Sequence, residues 1–156
     1  MTISLRPEDP TLDEPFLKRL ILETLTVEFG AASWPEPMRT QLLGLQYSNR
    51  RQTPRANFPE GESRILLIDG VAAGWIFTAT FDDHIHVAEI MVLPESRGKG
   101  AGSAALREVL STAAHERKAV RLNVNTINAA AIRLYERLGF QRIGSSEIQH
   151  EMEARP

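Results

Sequence analysis

The sequence predicts a mixed α/β fold, and three observations carry that expectation. Two runs of helical periodicity follow one short strand candidate at the N-terminal side. An Asp69-Gly70 pair then joins two apolar strand-like runs. The second half alternates strand, helix, strand, helix and ends in two short strands. The expected architecture is a central sheet of six to seven strands flanked by about four helices.

Each element has its own signal. Ile3 to Pro7 reads as a short strand. From Pro15 to Phe29 the apolar residues Leu17, Leu20, Ile21 and Leu25 recur at helical spacing, and Gly30 is placed to end that helix. A second helix is expected from about Pro37, with Met38, Leu42 and Leu45 on one stripe. The polar, proline-bearing run from Asn49 to Gly61 reads as a loop. Arg64–Gly70 and Ala73–Phe81 flank the Asp-Gly pair, a strong hairpin signal. His84–Leu93 reads as a long strand stopped by Pro94. Leu106, Val109, Leu110 and Ala113 then mark a helix running to Arg117. Val120–Asn125 is a strand, and a helix follows with Asn128 as N-cap and Gly139 at its C-terminal side. Phe140–Gly144 and Glu147–Glu153 complete the order.

The chain has 156 residues, 42% of them hydrophobic and 24% charged, and reads as a single domain over residues 1–156. A net charge of -2 argues against a nucleic-acid binder. There is no cysteine, which excludes disulfides, thiolate metal sites and a cysteine acyl-enzyme, and fits a reducing compartment. The opening Met1–Pro10 has no apolar signal core and no apolar run approaches membrane-spanning length, so a cytoplasmic location without membrane partners is expected. Neither internal repeats nor low-complexity tracts are present.

The stretch Val92-Leu-Pro-Glu-Ser-Arg-Gly-Lys-Gly-Ala-Gly102 carries the functional signal. A strand, a glycine turn and a helix form a ready anion site, because the first helical amides are unpaired and the dipole's positive end points outward. Arg97 and Lys99 add charge where a phosphate would sit. Neither G-x-G-x-x-G nor the P-loop pattern fits, so the stretch alone leaves open a plain surface connection with two solvated cations. The segment Asn128–Phe140, "NAAAIRLYERLGF", adds a second strand–helix unit. Two adjacent units of this kind can face one crevice at the strands' carboxyl ends, which would place Asn128 and Tyr135 beside the phosphate site.

Together these segments resemble the GNAT superfamily of N-acetyltransferases. "RGKGAG" matches the family's R/Q-x-x-G-x-G/A pyrophosphate loop through Arg97, Gly100 and Gly102. "NAAAIRLYERLGF" matches N-x-x-A-x-x-L-Y-x-x-x-G-F through Asn128, Ala131, Leu134, Tyr135, Gly139 and Phe140. The resemblance is specific from Ile90 to Phe140, and it implies a mostly antiparallel sheet and acetyl-CoA as cosubstrate, without a metal. It further implies that acetyl-CoA lies between two splayed strands. Its pantetheine would be bonded by backbone at Met91, Val92 and Leu93, and a bulge there would aim one amide at the thioester oxygen. The amides of Arg97, Gly98, Lys99, Gly100, Ala101, Gly102 and Ser103 would hold the pyrophosphate. Asn128 and Ala131 would complete the cofactor site, and Tyr135 would protonate the departing thiolate.

The base is open. A lysine-like amine of pKa about 10.4 costs roughly 4.6 kcal/mol to deprotonate at pH 7, an α-amine near 8 only about 1. Glu89, His84, His86 and water are the candidates, with Glu89 first because apolar neighbours favour a perturbed carboxyl. Strict alternation would put Glu89 on the face opposite both histidines unless a bulge intervenes. The acceptor region is expected in the first two helices and their loops. Trp34, Gln46, Tyr47, Arg50 and Arg51 offer directional contacts there, with His86 nearby; the arginines either recognise an acidic acceptor or solvate a helix end. The reading is direct transfer in a ternary complex to a primary amine of a small molecule, in a monomer or homodimer. A protein or peptide acetyltransferase and a non-catalytic acyl-CoA sensor are the alternatives. The sequence does not disclose the acceptor.

Overall fold

A computed structural model describes residues 1–156. The chain order is β1 (Ile3–Pro7), α1 (Glu14–Phe29), α2 (Met38–Asn57), β2 (Glu62–Ile68), β3 (Val71–Thr80), β4 (His84–Val92), α3 (Ala101–Glu116), β5 (Ala119–Asn125), α4 (Ala129–Arg137), β6 (Gln141–Ser145) and β7 (Gln149–Ala154). The seven strands form one sheet in the order β1-β2-β3-β4-β5-β7-β6. Every pairing is antiparallel except β4 with β5. The expected fold class is observed.

Local signals explain most boundaries. Gly30 caps α1 at φ 60. Asp69 at φ 50 and Gly70 at φ 81 make the two-residue turn between β2 and β3, matching the positive φ that a twisted hairpin requires. Asn128 caps α4 by accepting from the Ala131 amide at 3.2 Å.

Two apolar cores lie on opposite faces of the sheet. On one face α3 and α4 bury Leu106, Val109, Ala113, Ile132 and Tyr135 against Ile85, Val87, Val120, Leu122 and Met152. On the other, α1 and α2 bury Leu17, Leu20, Ile21 and Leu25 against Ile65, Trp75, Phe77 and Met91.

Helix α2 departs from the sequence reading in two ways. It continues to Asn57, through Pro54, where a loop was expected. The residues that hold this stretch are polar: Arg50 and Arg51 are tied by ion pairs to β4, α1 and the β1–α1 connection. Tertiary contacts of this kind override a weak local propensity. The expected stripe of Met38, Leu42 and Leu45 is exposed at 41%, 42% and 69%. The inward line runs instead through Leu43, Tyr47 and Pro54, a helical spacing broken by the arginines.

Strand β4 carries the feature that shapes the site. Phe77 pairs with Glu89 but Thr78 pairs with Val87, so Ala88 is an extra residue opposite no partner. The sequence reading placed a bulge near Met91–Leu93; the register is regular there and the bulge lies earlier in the strand. Beyond it Ile90 and Val92 face the α3 side, while Met91 and Leu93 face α1. The extra residue also turns Glu89 onto the same face as His84 and His86, reversing the outcome of strict alternation.

Candidate active site

The pairing of β4 with β5 covers only His84–Val87 against Ala119–Leu122. Beyond it β4 stays with β3 and β5 stays with β7, so the two strands part toward their carboxyl ends and leave a gap. The Leu93 amide donates to the Ala73 carbonyl at 2.8 Å. Hydrogen bonding alternates along an antiparallel edge, so Met91 and Leu93 spend their backbone groups on β3, while Ile90 and Val92 direct theirs into the gap. The approach of β3 here is close: a Cβ on Gly74 would stand 2.5 Å from the Met91 carbonyl oxygen.

Where the gap opens, the glycine turn meets the start of α3. Six consecutive amides, from Gly98 to Ser103, donate to no protein acceptor; the first bonded amide is that of Ala104, to the Gly100 carbonyl. Gly98 at φ 79 and Gly100 at φ 77 give the turn its shape, and the space where their Cβ atoms would stand is open. An anion with several oxygens fits such a cradle. Arg97 Nε donates to the Val92 carbonyl at 3.2 Å, which ties the turn to the strand edge.

Two buried side chains on opposite faces of the sheet act on each other electrostatically. Tyr135 comes from α4, is 8% exposed and packs its ring 5.8 Å from that of Phe140. Burial, with the Glu89 carboxylate adding to it, pushes the phenol up to about 12, so it keeps its proton at neutral pH. No protein group accepts from that hydroxyl, and it is not sealed from solvent.

Glu89 comes from the bulge, with its side chain 14% exposed. Arg50 Nε donates to it at 2.9 Å. Burial raises the Glu89 carboxyl above the usual range, and the Arg50 guanidinium opposes that without cancelling it. On the same face the ring of His86 lies 5.1 Å from that of Phe58, and His84 stacks on Phe81 at 4.8 Å. Burial and then the neighbouring His84 lower the His86 pKa, so its imidazole is neutral at pH 7.

The sequence profile of the Acetyltransferase (GNAT) family matches residues 21–140. The chain belongs to the GNAT acetyltransferase family. The human N-acetylaspartate synthetase is 33% identical over 86 residues, which cover 53% of this chain and 28% of that protein. The chain thus spans little more than a quarter of that relative's length. The PaiA N-acetyltransferase of Thermoplasma acidophilum, solved in complex with coenzyme A, superposes with a TM-score of 0.76 at 18% identity, over 100% of both chains. The ribosomal-protein-S18-alanine N-acetyltransferase of Escherichia coli gives 0.69 at 21% identity, over 98% of this chain and 93% of that one. These likenesses concern the fold. For a GNAT chain the amides of residues 98–103 and the free edge of β4 are the groups with which a coenzyme A pyrophosphate and pantetheine are compatible.

The residues expected to meet the acceptor divide. Trp34 stacks on Phe29 at 6.4 Å, and the Tyr47 hydroxyl is spent on Glu14. Arg51 is shared between Glu8 at 2.8 Å and Glu14 at 3.0 Å. Arg50 and Arg51 therefore neither solvate a helix end nor stand free for an acidic acceptor. Tyr47 and Arg39 instead help line a groove of about 400 Å³ between α1 and α2, with Lys18 and Leu43. The sequence reading missed Glu28, which looks like any surface glutamate near a helix end. Arg50 carried one usable signal: a buried strand carboxylate such as Glu89 needs a cation.

Proposed function

We propose that this chain is an acetyl-CoA-dependent N-acetyltransferase that moves an acetyl group directly to a primary amine in a ternary complex. The observation that carries the reading is the coincidence of three things at one gap: the row of free amides, the parted strands, and two perturbed groups on opposite faces. Bound acetyl-CoA supplies an acetyl group already activated as a thioester.

The chain's own residues do the rest. The amides from Gly98 to Ser103 bind the pyrophosphate through donors that need no reorganisation, with Arg97 and Lys99 adding positive charge. Val92 and Ile90 orient the pantetheine along the edge of β4, and Asn128 and Ala131 border it from α4. A backbone amide at that edge aimed at the thioester oxygen contributes about 3 kcal/mol where charge develops. Glu89 accepts the proton of the incoming amine, directly or through water. Tyr135 holds its proton until the thiolate departs and delivers it there.

The acceptor is proposed to be a small molecule, reached from the α1–α2 side past His86. A second reading has one observation in its favour. Neither α1 nor α2 covers the face of β5, β7 and β6 that carries Asn123, Gln149 and Glu151, so an extended peptide could lie across it. Among the similar proteins, one is named for N-acetylaspartate and another for a ribosomal-protein alanine, so likeness alone does not choose.

Release of CoA thiol, followed with polyamines, amino acids, amino sugars and peptides with free α-amines, tests both readings. Turnover with the small amines supports the first, and turnover with peptides alone supports the second. Acetyl-CoA binding without release for any amine would show a sensor instead. The cytoplasm is the proposed location; no helix is long and apolar enough to cross a membrane.

A further inference from the structure

One guanidinium serves two carboxylates from different elements. Arg50 Nε donates to Glu89 at 2.9 Å, while its Nη1 and Nη2 reach Glu28 at 3.2 and 3.5 Å. The three side chains grade from interior to surface: Glu89 is 14% exposed, Arg50 32% and Glu28 43%. Helix α2 thus links the end of α1 to the bulge in β4.

The arrangement answers a chemical difficulty. A carboxyl buried beside apolar strand residues takes up a proton, and a protonated carboxyl cannot act as a base. A carboxylate fully committed to one cation stays ionised but is a poor proton acceptor. Sharing the cation with a second carboxylate lies between these limits. We propose that Arg50 is a positioning residue which holds Glu89 ionised at the bulge, and that Glu28 tempers this hold by drawing on the same guanidinium.

The proposal rests on reading Glu89 as the base. The groups around Glu89 agree with it. From α2, Arg50 favours the carboxylate, as does the backbone amide of Ile90 within β4. From α1, Glu28 disfavours it. From α4, Tyr135 is uncharged at neutral pH. Burial works against the charge of Arg50, but Glu89 and then Glu28 outweigh it, so the guanidinium stays charged.

The two partners must act in opposite directions, which no merely structural role requires. The Glu89 carboxyl can be followed in the unliganded protein by ¹³C NMR with δ-carboxyl-labelled glutamate, its resonance assigned by its loss in Glu89→Gln. Arg50→Gln should move the Glu89 titration to higher pH by about one unit or more, the range for removing an opposite charge at contact. Glu28→Gln should move it to lower pH by less. Arg50→Lys should recover part of the Arg50→Gln shift, keeping the charge but losing the fork. The acidic limb of kcat/KM, measured with the amine that releases CoA fastest, should follow each shift.

Shifts in the same direction, or none, would overturn the proposal. Should Arg50→Gln fail to fold, Glu28→Gln alone decides, because a shift upward or no shift contradicts the sharing. A kcat/KM profile unchanged in Glu89→Gln would overturn Glu89 as the base whatever the titrations show. A profile lost in Glu89→Gln, with Glu89 unmoved in the Arg50 and Glu28 variants, would overturn the role of Arg50 alone.

Discussion

The two faces of the sheet contribute to the proposed site by different means. On the α3–α4 face the proposed contacts are backbone: a glycine turn, a helix start and a strand edge present amides in a fixed row. On the α1–α2 face the polar contacts are between charged side chains set around an apolar core: Arg50 with Glu28 and Glu89, Arg51 with Glu8 and Glu14, Arg6 with Asp13. Backbone recognition constrains residue type at fixed spacing, because glycine admits a close ligand and adopts a positive φ with the least strain. Ion pairs can be rebuilt from other positions in the chain, so they leave little pattern behind.

The largest expected effect tests the backbone half. Gly102→Val places a branched side chain among the unpaired amides, while its Cβ would meet only Val92 Cγ2, at 3.9 Å. The fold should survive, since Gly102 sits in the first turn of α3 and needs no positive φ. Affinity for acetyl-CoA, measured by calorimetry, should fall about 100-fold or more, equivalent to losing two charge-assisted hydrogen bonds. Wild-type affinity would leave the turn a plain connection between β4 and α3.

Next in size is Tyr135→Phe, which keeps the ring against Phe140 and removes the hydroxyl. Turnover should fall on the order of 10- to 100-fold, with acetyl-CoA affinity and melting temperature nearly unchanged. The smaller figure is compatible because a CoA thiol resembles cysteine, with a pKa of about 8.5, and its thiolate already leaves readily. Unchanged turnover, where chemistry limits the rate, would retire the hydroxyl from the reaction.

What the sequence disclosed follows the same division. The Asp69-Gly70 hairpin, the α3 and α4 helices and the Asn128 cap are visible because turn chemistry and apolar periodicity act locally. The cosubstrate half could be proposed from sequence because its glycines and Tyr135 sit at fixed offsets. The Ala88 bulge is not. Nothing in His84–Leu93 marks which residue lacks a partner, and that one residue decides which face Glu89 takes. The extension of α2 is hidden too, since Arg50 and Arg51 act as inward-facing groups and an apolar pattern passes over them.

A third, smaller effect concerns the ion pairs. Asp13 accepts from Arg6 Nη1 and Nη2 and from the Asp9 amide, each at 2.7 Å. The Arg6 contact holds the Asp13 carboxyl below the usual carboxylate range, despite burial. A depressed folded pKa contributes stability above the unfolded value, near 3.9, which is lost as pH falls through the folded value. Asp13→Asn should therefore lower stability at pH 7 by about 1–3 kcal/mol. It should also flatten the acid side of the stability curve, read from urea unfolding between pH 2 and 7. A variant that keeps the wild-type slope would show that the acid sensitivity arises elsewhere.

The most direct check on helix α2 pairs a buried leucine with an exposed one, and the smallest expected effect is that of the exposed one. Leu43 is 8% exposed and packs toward α1, whereas Leu45, two residues on, is 69% exposed. Residues two apart on a helix point in nearly opposite directions, so a register error would exchange their roles. Leu43→Ala should cost about 2–5 kcal/mol, as for a buried leucine cut back to its Cβ. Leu45→Gln should stay within about 0.5 kcal/mol, the range for an exposed position without partners. Melting curves at two protein concentrations separate the remaining cases. A loss in Leu45→Gln at both concentrations would restore the stripe of Met38, Leu42 and Leu45 as core. A loss only at the higher concentration would mean that a second copy covers this face, because association adds stability in proportion to the protomer available. With no loss at either, the face is free in solution, and the α1–α2 layer is held on its sheet by Leu43, Tyr47 and the charged pairs behind them.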